Sequence, residues 1–208
     1  MEGIFILGAG GLAKEVYAHI KQMGGRRILG FVDVIPRENI IIGRDSVPVV
    51  VEEELESYRD KASLAMGVGD PKLLEKLSGK FAKDFAFPNL IHPTVSGNFD
   101  DIVLGKGNII TTHCTLTTSI TIGSFNIFNP HCAIGHDVVI GDCNVFNPSV
   151  NISGGVVIGA SNLIGVKATV LQYKTIGNHS VVGASSLVTR DVPDGVTVVG
   201  IPAVLFNK

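Results

Sequence analysis

Residues 103–192 read VLGKGN IITTHC TLTTSI TIGSFN IFNPHC AIGHDV VIGDCN VFNPSV NISGGV VIGASN LIGVKA TVLQYK TIGNHS VVGASS LVTRDV, fifteen hexapeptides in unbroken phase. The second position of each is large and apolar: Leu104, Ile110, Leu116, Ile122, Phe128, Ile134, Ile140, Phe146, Ile152, Ile158, Ile164, Val170, Ile176, Val182 and Val188. Glycine follows it at 105, 123, 135, 141, 159, 165, 177 and 183. Four residues after it, small or compact side chains dominate, as at Cys114, Cys132, Val138, Val150, Ala168, Ser180 and Ser186. A helix repeats its faces every 3.6 residues and a strand every two, so neither produces this pattern. A repeat of this length decides the architecture of the second half of the chain.

The texture before the repeat differs. Gly3–Leu7 is a short apolar strand, Gly8–Gly11 a glycine turn, and Ala13–Gln22 a helix ended by Gly24-Gly25. Arg27–Val32 reads as a second strand closing at Asp33, and Ser63–Val68 as a third running into Gly69-Asp70-Pro71, with Leu73–Phe81 helical behind it. Strand, helix, strand, connection, strand, helix make a small α/β unit, a Rossmann-like βαβαβ domain with a parallel sheet. Phe85–Pro93, with Pro88 and Pro93, reads as the linker. The expected division is residues 1–88 and 89–208.

Of the 208 residues, 45% are hydrophobic and 17% charged, which excludes a disordered or fibrous chain. The net charge of −2, from 17 Lys+Arg against 19 Asp+Glu, leaves no basic surplus to attract nucleic acid or an anionic membrane. An anionic ligand must therefore be held locally. Three cysteines (Cys114, Cys132, Cys143) without metal-type doublet spacing fit a reducing compartment, so a cytoplasmic location is expected. Met1-Glu2-Gly3-Ile4-Phe5-Ile6-Leu7-Gly8 has no basic region and its apolar run stops at glycine, so neither signal peptide nor membrane span is expected.

Gly8-Ala9-Gly10-Gly11-Leu12-Ala13 has the spacing and setting of a dinucleotide fingerprint, with Asp33 at the end of the next strand. Its glycines let backbone N–H groups approach an anion at a helix N-terminus, whose dipole favours negative charge. That physics serves any pyrophosphate, and a dinucleotide needs a second mononucleotide half that this short domain lacks. A nucleotide-sugar pyrophosphate is favoured over NAD; a turn that merely permits close strand–helix packing is the plain alternative.

Within the repeat, His113 and His131 stand 18 residues apart, as do Cys114 and Cys132, and Asn129 and Asn147. His113, His131 and His179 read as solvated coil positions. His136 differs, because Asp137 follows it and can orient the imidazole or raise its basicity. His131 and His136 are five residues apart and resemble the zinc-binding pair of γ-class carbonic anhydrases, with His113 as the third ligand. That reading leaves the amino-terminal domain without a role, and Cys114 and Cys132 lack a zinc-type doublet, so no metal is expected.

A strict period of six resembles the hexapeptide repeat of left-handed parallel β-helices, in which three hexapeptides make one triangular coil. The resemblance implies five coils over 103–192, with each apolar side chain stacked about 4.8 Å from its counterpart. The left hand comes from the resemblance alone, since the usual crossover rule gives the opposite.

The order of parts, from Gly3 to Ala203, resembles the nucleotide-aminosugar N-acetyltransferases and the related sialic-acid O-acetyltransferase-like proteins. The residues carrying the likeness are Gly8 to Ala13, Phe31-Val32-Asp33, Val68-Gly69-Asp70, Ile91-His92-Pro93, Gly135 to Gly141 and Val199-Gly200-Ile201-Pro202-Ala203. It implies transfer of acetyl from acetyl-CoA to the amino group of a nucleotide-linked 4-amino-4,6-dideoxy sugar. It also implies a homotrimer with active sites between adjacent prisms. His136 is then the general base and Asp137 its orienting group. Gly10, Gly11 and Leu12 would hold the phosphates, Asp33 and Val34 would lie near the nucleotide base with Gly69 beside it, and Asn129 near the acceptor sugar. Val166 and Ala184, which follow Gly165 and Gly183, would offer backbone groups to the pantetheine arm, and Pro202 an apolar surface to its adenine end. Val145 stands where many members have a histidine near the thioester, and Val34 where many have a second acid. Transfer is direct, since no cysteine is recognisably activated. O-acetylation of a sugar hydroxyl and a non-catalytic nucleotide-sugar-binding scaffold are the other readings.

Overall fold

In a computed structural model, which describes residues 3–206, the period of six becomes a three-faced prism of short parallel strands. Residues 1, 2, 207 and 208, the outer ends of the two expected domains and the start of the segment read for a signal peptide, lie outside the described residues. The first face stacks Leu90–Ile91, Ile109–Ile110, Ile127–Phe128, Val145–Phe146, Leu163–Ile164, Val181–Val182 and Thr197–Val199. The second runs from Ser96–Gly97 to Leu187–Val188, and the third from Ile102–Leu104 to Thr175–Ile176. Rungs 18 residues apart pair in register, as Phe128 with Phe146 and Ile134 with Ile152. Every apolar second position from Ile110 to Val188 is at most 2% exposed. The Phe128 and Phe146 rings stack with centroids 4.6 Å apart, close to the spacing of their parallel strands.

The prism is longer than the repeat. Ile91 pairs with Ile110 and Gly97 with Leu116, a separation of 19, because the helical turn Phe99–Asp101 absorbs one extra residue. The insertion shifts the phase, so the pattern is lost before 103 and Phe85–Pro93 is mistaken for a linker. Leu90–Ile91 is the first rung, and Phe85 and Phe87 are buried. At the other end Ile176 bridges to Val192 and Val182 pairs with Val198, each 16 apart, so the last coil is two residues short. The five coils expected become six, closed by Thr197–Val199, onto which Val204–Leu205 folds back antiparallel.

Each corner needs one residue in the left-handed backbone region, and the residues 107, 113, 119 and so on to 185 supply it. Only Gly107 and Gly155 in that series are glycine; His113, His131 and Asp137 hold φ of 58°, 63° and 59°. Such a conformation costs about 1–2 kcal/mol for an L-residue, so the packed interior must impose it.

One corner is held by a polar ladder that the pattern of apolar positions conceals. Asn108, Asn126, Asn144 and Asn162 are fully buried. Asn126 Oδ1 accepts both the backbone N–H and the side-chain amide of Asn144, at 2.9 and 3.0 Å, and Asn144 Oδ1 accepts the same pair from Asn162 at the same distances. Asn89 starts the ladder and Ser180 ends it. A buried network of this kind stabilises only while every member is paired. Asn144→Ala strands the donors of Asn162 and the carbonyl of Gly159, and should lower unfolding stability by about 1–3 kcal/mol in a urea titration. An unchanged midpoint would make the ladder incidental.

The amino-terminal part contains β1 (Gly3–Leu7), α1 (Gly11–Met23), β2 (Arg27–Asp33), a hairpin of β3 (Ile40–Ile42) and β4 (Asp45–Val47), β5 (Val49–Val51), β6 (Ala62–Met66) and α2 (Pro71–Phe81). Its parallel sheet has the order β5-β2-β1-β6. The hairpin and edge strand β5 lie in the stretch read only as a connection; a run of three valines is too short to show a period. Asp70 caps α2 by accepting the Leu73 N–H at 3.0 Å, with Pro71 at the first helical position. The sheet and the prism share one core: Ile109, Ile127 and Val145, pointing outward from the first face, are at most 2% exposed and pack in the cluster containing Leu77, Phe81 and Phe87. Among the described residues no helix is long and apolar enough to cross a membrane.

Candidate functional site

The second corner of the prism carries His136, two residues after the strand Ala133–Ile134. Its Nδ1 lies 2.7 Å from Asp137 Oδ2, and its side chain is 48% exposed. A carboxylate on Nδ1 fixes the proton there and leaves the lone pair on Nε2. Below the ring, one coil on, lies Gly154, where an added Cβ would stand 2.5 Å from Nε2 and 2.6 Å from Cε1. Gly155 yields in the same way to the Tyr173 ring. The sequence held this signal only through the 18-residue offset linking 136 with 154 and 155 with 173. Gly154 has no positive φ, so Gly154→Ala should fold. It should displace the imidazole and lower kcat about tenfold or more with KM little changed, in steady-state kinetics. Unaltered kcat would show that the ring needs no recess.

The first corner carries different chemistry. His113 and His131 stack there with ring centroids 5.2 Å apart and planes inclined by 12°. Pro130, Pro148, Val166 and Ala184 follow one another along this edge, since Phe128, Phe146, Ile164 and Val182 are in register. Val166 and Ala184 are exposed. His131 and His136 stand on different corners, and among the described residues no group of three His, Cys, Asp or Glu could hold a metal ion. Asn129 is 7% exposed and its amide donates to Phe146 O at 3.0 Å, so it serves the corner itself. Val145 is corrected outright: at 2% exposure beneath the amino-terminal domain, it offers no surface to a thioester. Pro202 is exposed in the turn after the last rung. Cys114 and Cys132 are enclosed in the prism, donating to Asn129 O and Asn147 O, and burial pushes the Cys143 thiol up to about 11. None is an accessible nucleophile.

At the carboxyl ends of β1, β2 and β6 the glycine turn opens α1. Gly8 has φ of 105°, and its N–H donates to Val32 O at 2.8 Å. Gly10 precedes α1 with no side-chain cap, which leaves the first-turn N–H groups without a side-chain acceptor. A Cβ at Gly10 or Gly11 meets nothing within 4 Å, so the helix mouth is open. Gly69 lies against it, since its Cβ would be 3.2 Å from Leu12 Cδ2. Asp33 accepts the Val34 N–H at 2.7 Å and pairs with Arg37 at 2.8 Å, leaving Val34 and Ile35 exposed beside it. Gly10, Gly11, Leu12, Asp33, Val34 and Gly69 thus meet at one end of the sheet.

Sequence reasoning missed the space between the two lobes. A cavity of about 410 Å³ separates α1 from the first corner, lined by Glu15, His19, Gln22, Thr112, Pro130 and Pro148. Burial holds the His19 imidazole below its ordinary value, and its Nε2–H donates to Leu90 O at 3.3 Å. The helix that opens at the glycine turn therefore walls a chamber on the edge that continues to Val166 and Ala184.

Residues 3–81 match the family described as the PglD N-terminal domain. Among solved structures, a variant of perosamine N-acetyltransferase from Caulobacter crescentus in complex with CoA and GDP-perosamine is 30% identical, covering 99% of this chain and 97% of that one with a TM-score of 0.92. WeeI from Acinetobacter baumannii is 26% identical over 98% of this chain and 99% of that one, with a TM-score of 0.86. The acetyltransferase domain of PglB from Neisseria gonorrhoeae, in complex with acetyl coenzyme A, shares the fold at 24% identity, 99% coverage of both chains and a TM-score of 0.87. No curated protein matches the chain by sequence.

Proposed function

The chain belongs to the nucleotide-sugar N-acetyltransferases that join a PglD-type domain to a left-handed hexapeptide β-helix, and from that premise we propose a mechanism and a substrate class. The acetyl group of acetyl-CoA passes to the amino group of a nucleotide-linked 4-amino-4,6-dideoxy hexose. The carrying observation is His136, its Nδ1 held by Asp137 at 2.7 Å and its Nε2 free above Gly154. Nε2 takes a proton from the amine as nitrogen attacks the thioester carbonyl, and Asp137 steadies the imidazolium that forms. The proton then passes to the departing thiolate. Backbone N–H groups stabilise the oxyanion.

Residues 1–88 bind the nucleotide sugar and residues 89–208 perform the transfer. Phosphates rest on the N–H groups at Gly10, Gly11 and Leu12, the base lies by Asp33, Val34 and Gly69, and the hexose enters the chamber beside α1, near Asn129 and Pro130. Gly165, Val166, Gly183 and Ala184 flank the pantetheine arm, and Pro202 its adenine end. His136 stands on the second corner while these paths follow the first, so one prism does not unite them. A homotrimer does: a threefold axis along parallel prisms keeps height, and His136 belongs to the same coil as Pro130. The cytoplasm, where acetyl-CoA and nucleotide sugars are made, is the place of reaction.

Calorimetry tests the nucleotide half. A nucleoside diphosphate should bind and NAD should not. Gly10→Val, whose side chain fills the open mouth, should weaken the diphosphate about tenfold or more while acetyl-CoA affinity is kept. Tight NAD binding would overturn the assignment.

A further inference from the structure

The opposite end of the same sheet is also built around charge. A cavity of about 420 Å³ lies between the end of α1, the start of β2 and the β3–β4 hairpin, and Lys21, Arg26, Arg27 and Arg44 line it, with Asp45 the carboxylate beside them among the described residues. Three of the six arginines in a chain of net charge −2 meet here. The carboxylate is already engaged: Asp45 Oδ2 accepts the Tyr17 hydroxyl at 2.6 Å and pairs with Lys21 at 3.2 Å. Tyr17 is 6% exposed, and burial together with Asp45 pushes its phenol up to about 12, so it remains a donor at neutral pH. This network ties the hairpin to α1 and fixes where Arg44 stands.

Arg27 and Arg44 are exposed, and among the described residues neither forms an ion pair. Cations near the last turn of α1 are favoured by its dipole, which accounts for Lys21 but not for Arg44 on the hairpin. Guanidinium groups grip phosphate oxygens in pairs, which Arg27 and Arg44 are placed to do from two sides of the cavity. β1 separates this cavity from the glycine turn by five residues, about 16 Å at the rise of a strand.

We propose that this cavity is a second anion site, which takes the diphosphate group of a small soluble metabolite independently of the nucleotide-sugar site. Inorganic pyrophosphate is the probe, and the Gly10→Val protein is the background, so that the helix mouth is blocked. Calorimetry should show one equivalent bound in that background, and Arg27→Glu/Arg44→Glu added to it should weaken binding about tenfold or more. Both arginines are exposed, and an unchanged circular dichroism spectrum would confirm the fold. The double substitution alone should leave acetyl transfer without pyrophosphate at its ordinary rate, which separates this site from the transferase reading. Binding that survives the double substitution, or no binding in the Gly10→Val background, would overturn the proposal. Binding to phosphatidylglycerol vesicles with none to pyrophosphate would overturn it in favour of a membrane surface.

Discussion

His136→Ala lowers kcat on the order of a hundredfold or more, with KM for either substrate changed far less. The split follows from geometry. The imidazole is half exposed and props no part of the core, so its removal leaves the prism intact. It meets the Asp137 carboxylate through Nδ1 and lies over Gly154. What disappears is the Nε2 lone pair, which the proposed mechanism needs only as the amine loses its proton. Asp137→Asn keeps a hydrogen-bond acceptor beside Nδ1 and removes only the charge proposed to steady the imidazolium, so it should cost less. Near-normal turnover in His136→Ala would take this histidine out of the mechanism and favour a scaffold.

Ala184→Trp abolishes detectable acetyl-CoA binding, a loss of at least about a hundredfold, while nucleoside diphosphate affinity is unchanged. Ala184 stands exposed on the first corner, one coil beyond Val166. The rungs are drawn tightly together beneath it: an added Cβ at Gly165 would lie 2.5 Å from the Ala184 nitrogen. An indole at 184 cannot turn inward through that backbone and must lie along the edge, over the main-chain groups proposed for the pantetheine arm. The open mouth of α1, where the diphosphate is proposed to bind, belongs to the other lobe. If both ligands bound normally to a folded Ala184→Trp protein, the donor would follow another path.

The legible parts of the molecule are those whose physics is periodic or local. Ile110 to Val188 announced the prism because each must face inward at a fixed interval. His136 and Asp137 were legible as neighbours in sequence, and so was Gly8 to Ala13, where a strand, a turn and a helix follow without interruption. One residue inserted at Phe99–Asp101 hid the first coil, and two missing before Val192 hid the true end, since a period carries no information across a change of phase. The asparagine ladder was invisible for another reason: an amide reads as solvated until its partners 18 residues away are known. Val145 misled because the outward side of a rung is exposed in an isolated prism, and only the docking of α2 covers it. The chamber beside α1 depends on that same docking.

Thiol release from acetyl-CoA, measured with the purified protein and a panel of GDP-, dTDP- and UDP-linked 4-amino-4,6-dideoxy sugars beside their 4-hydroxy counterparts, tests the chemistry most directly. At least one amino sugar should release thiol and yield a product shown by mass spectrometry to carry acetyl on nitrogen, and the hydroxy sugars should release none. Release with the hydroxy sugars alone, or with no member of the panel, would contradict N-acetyl transfer by the His136–Asp137 pair.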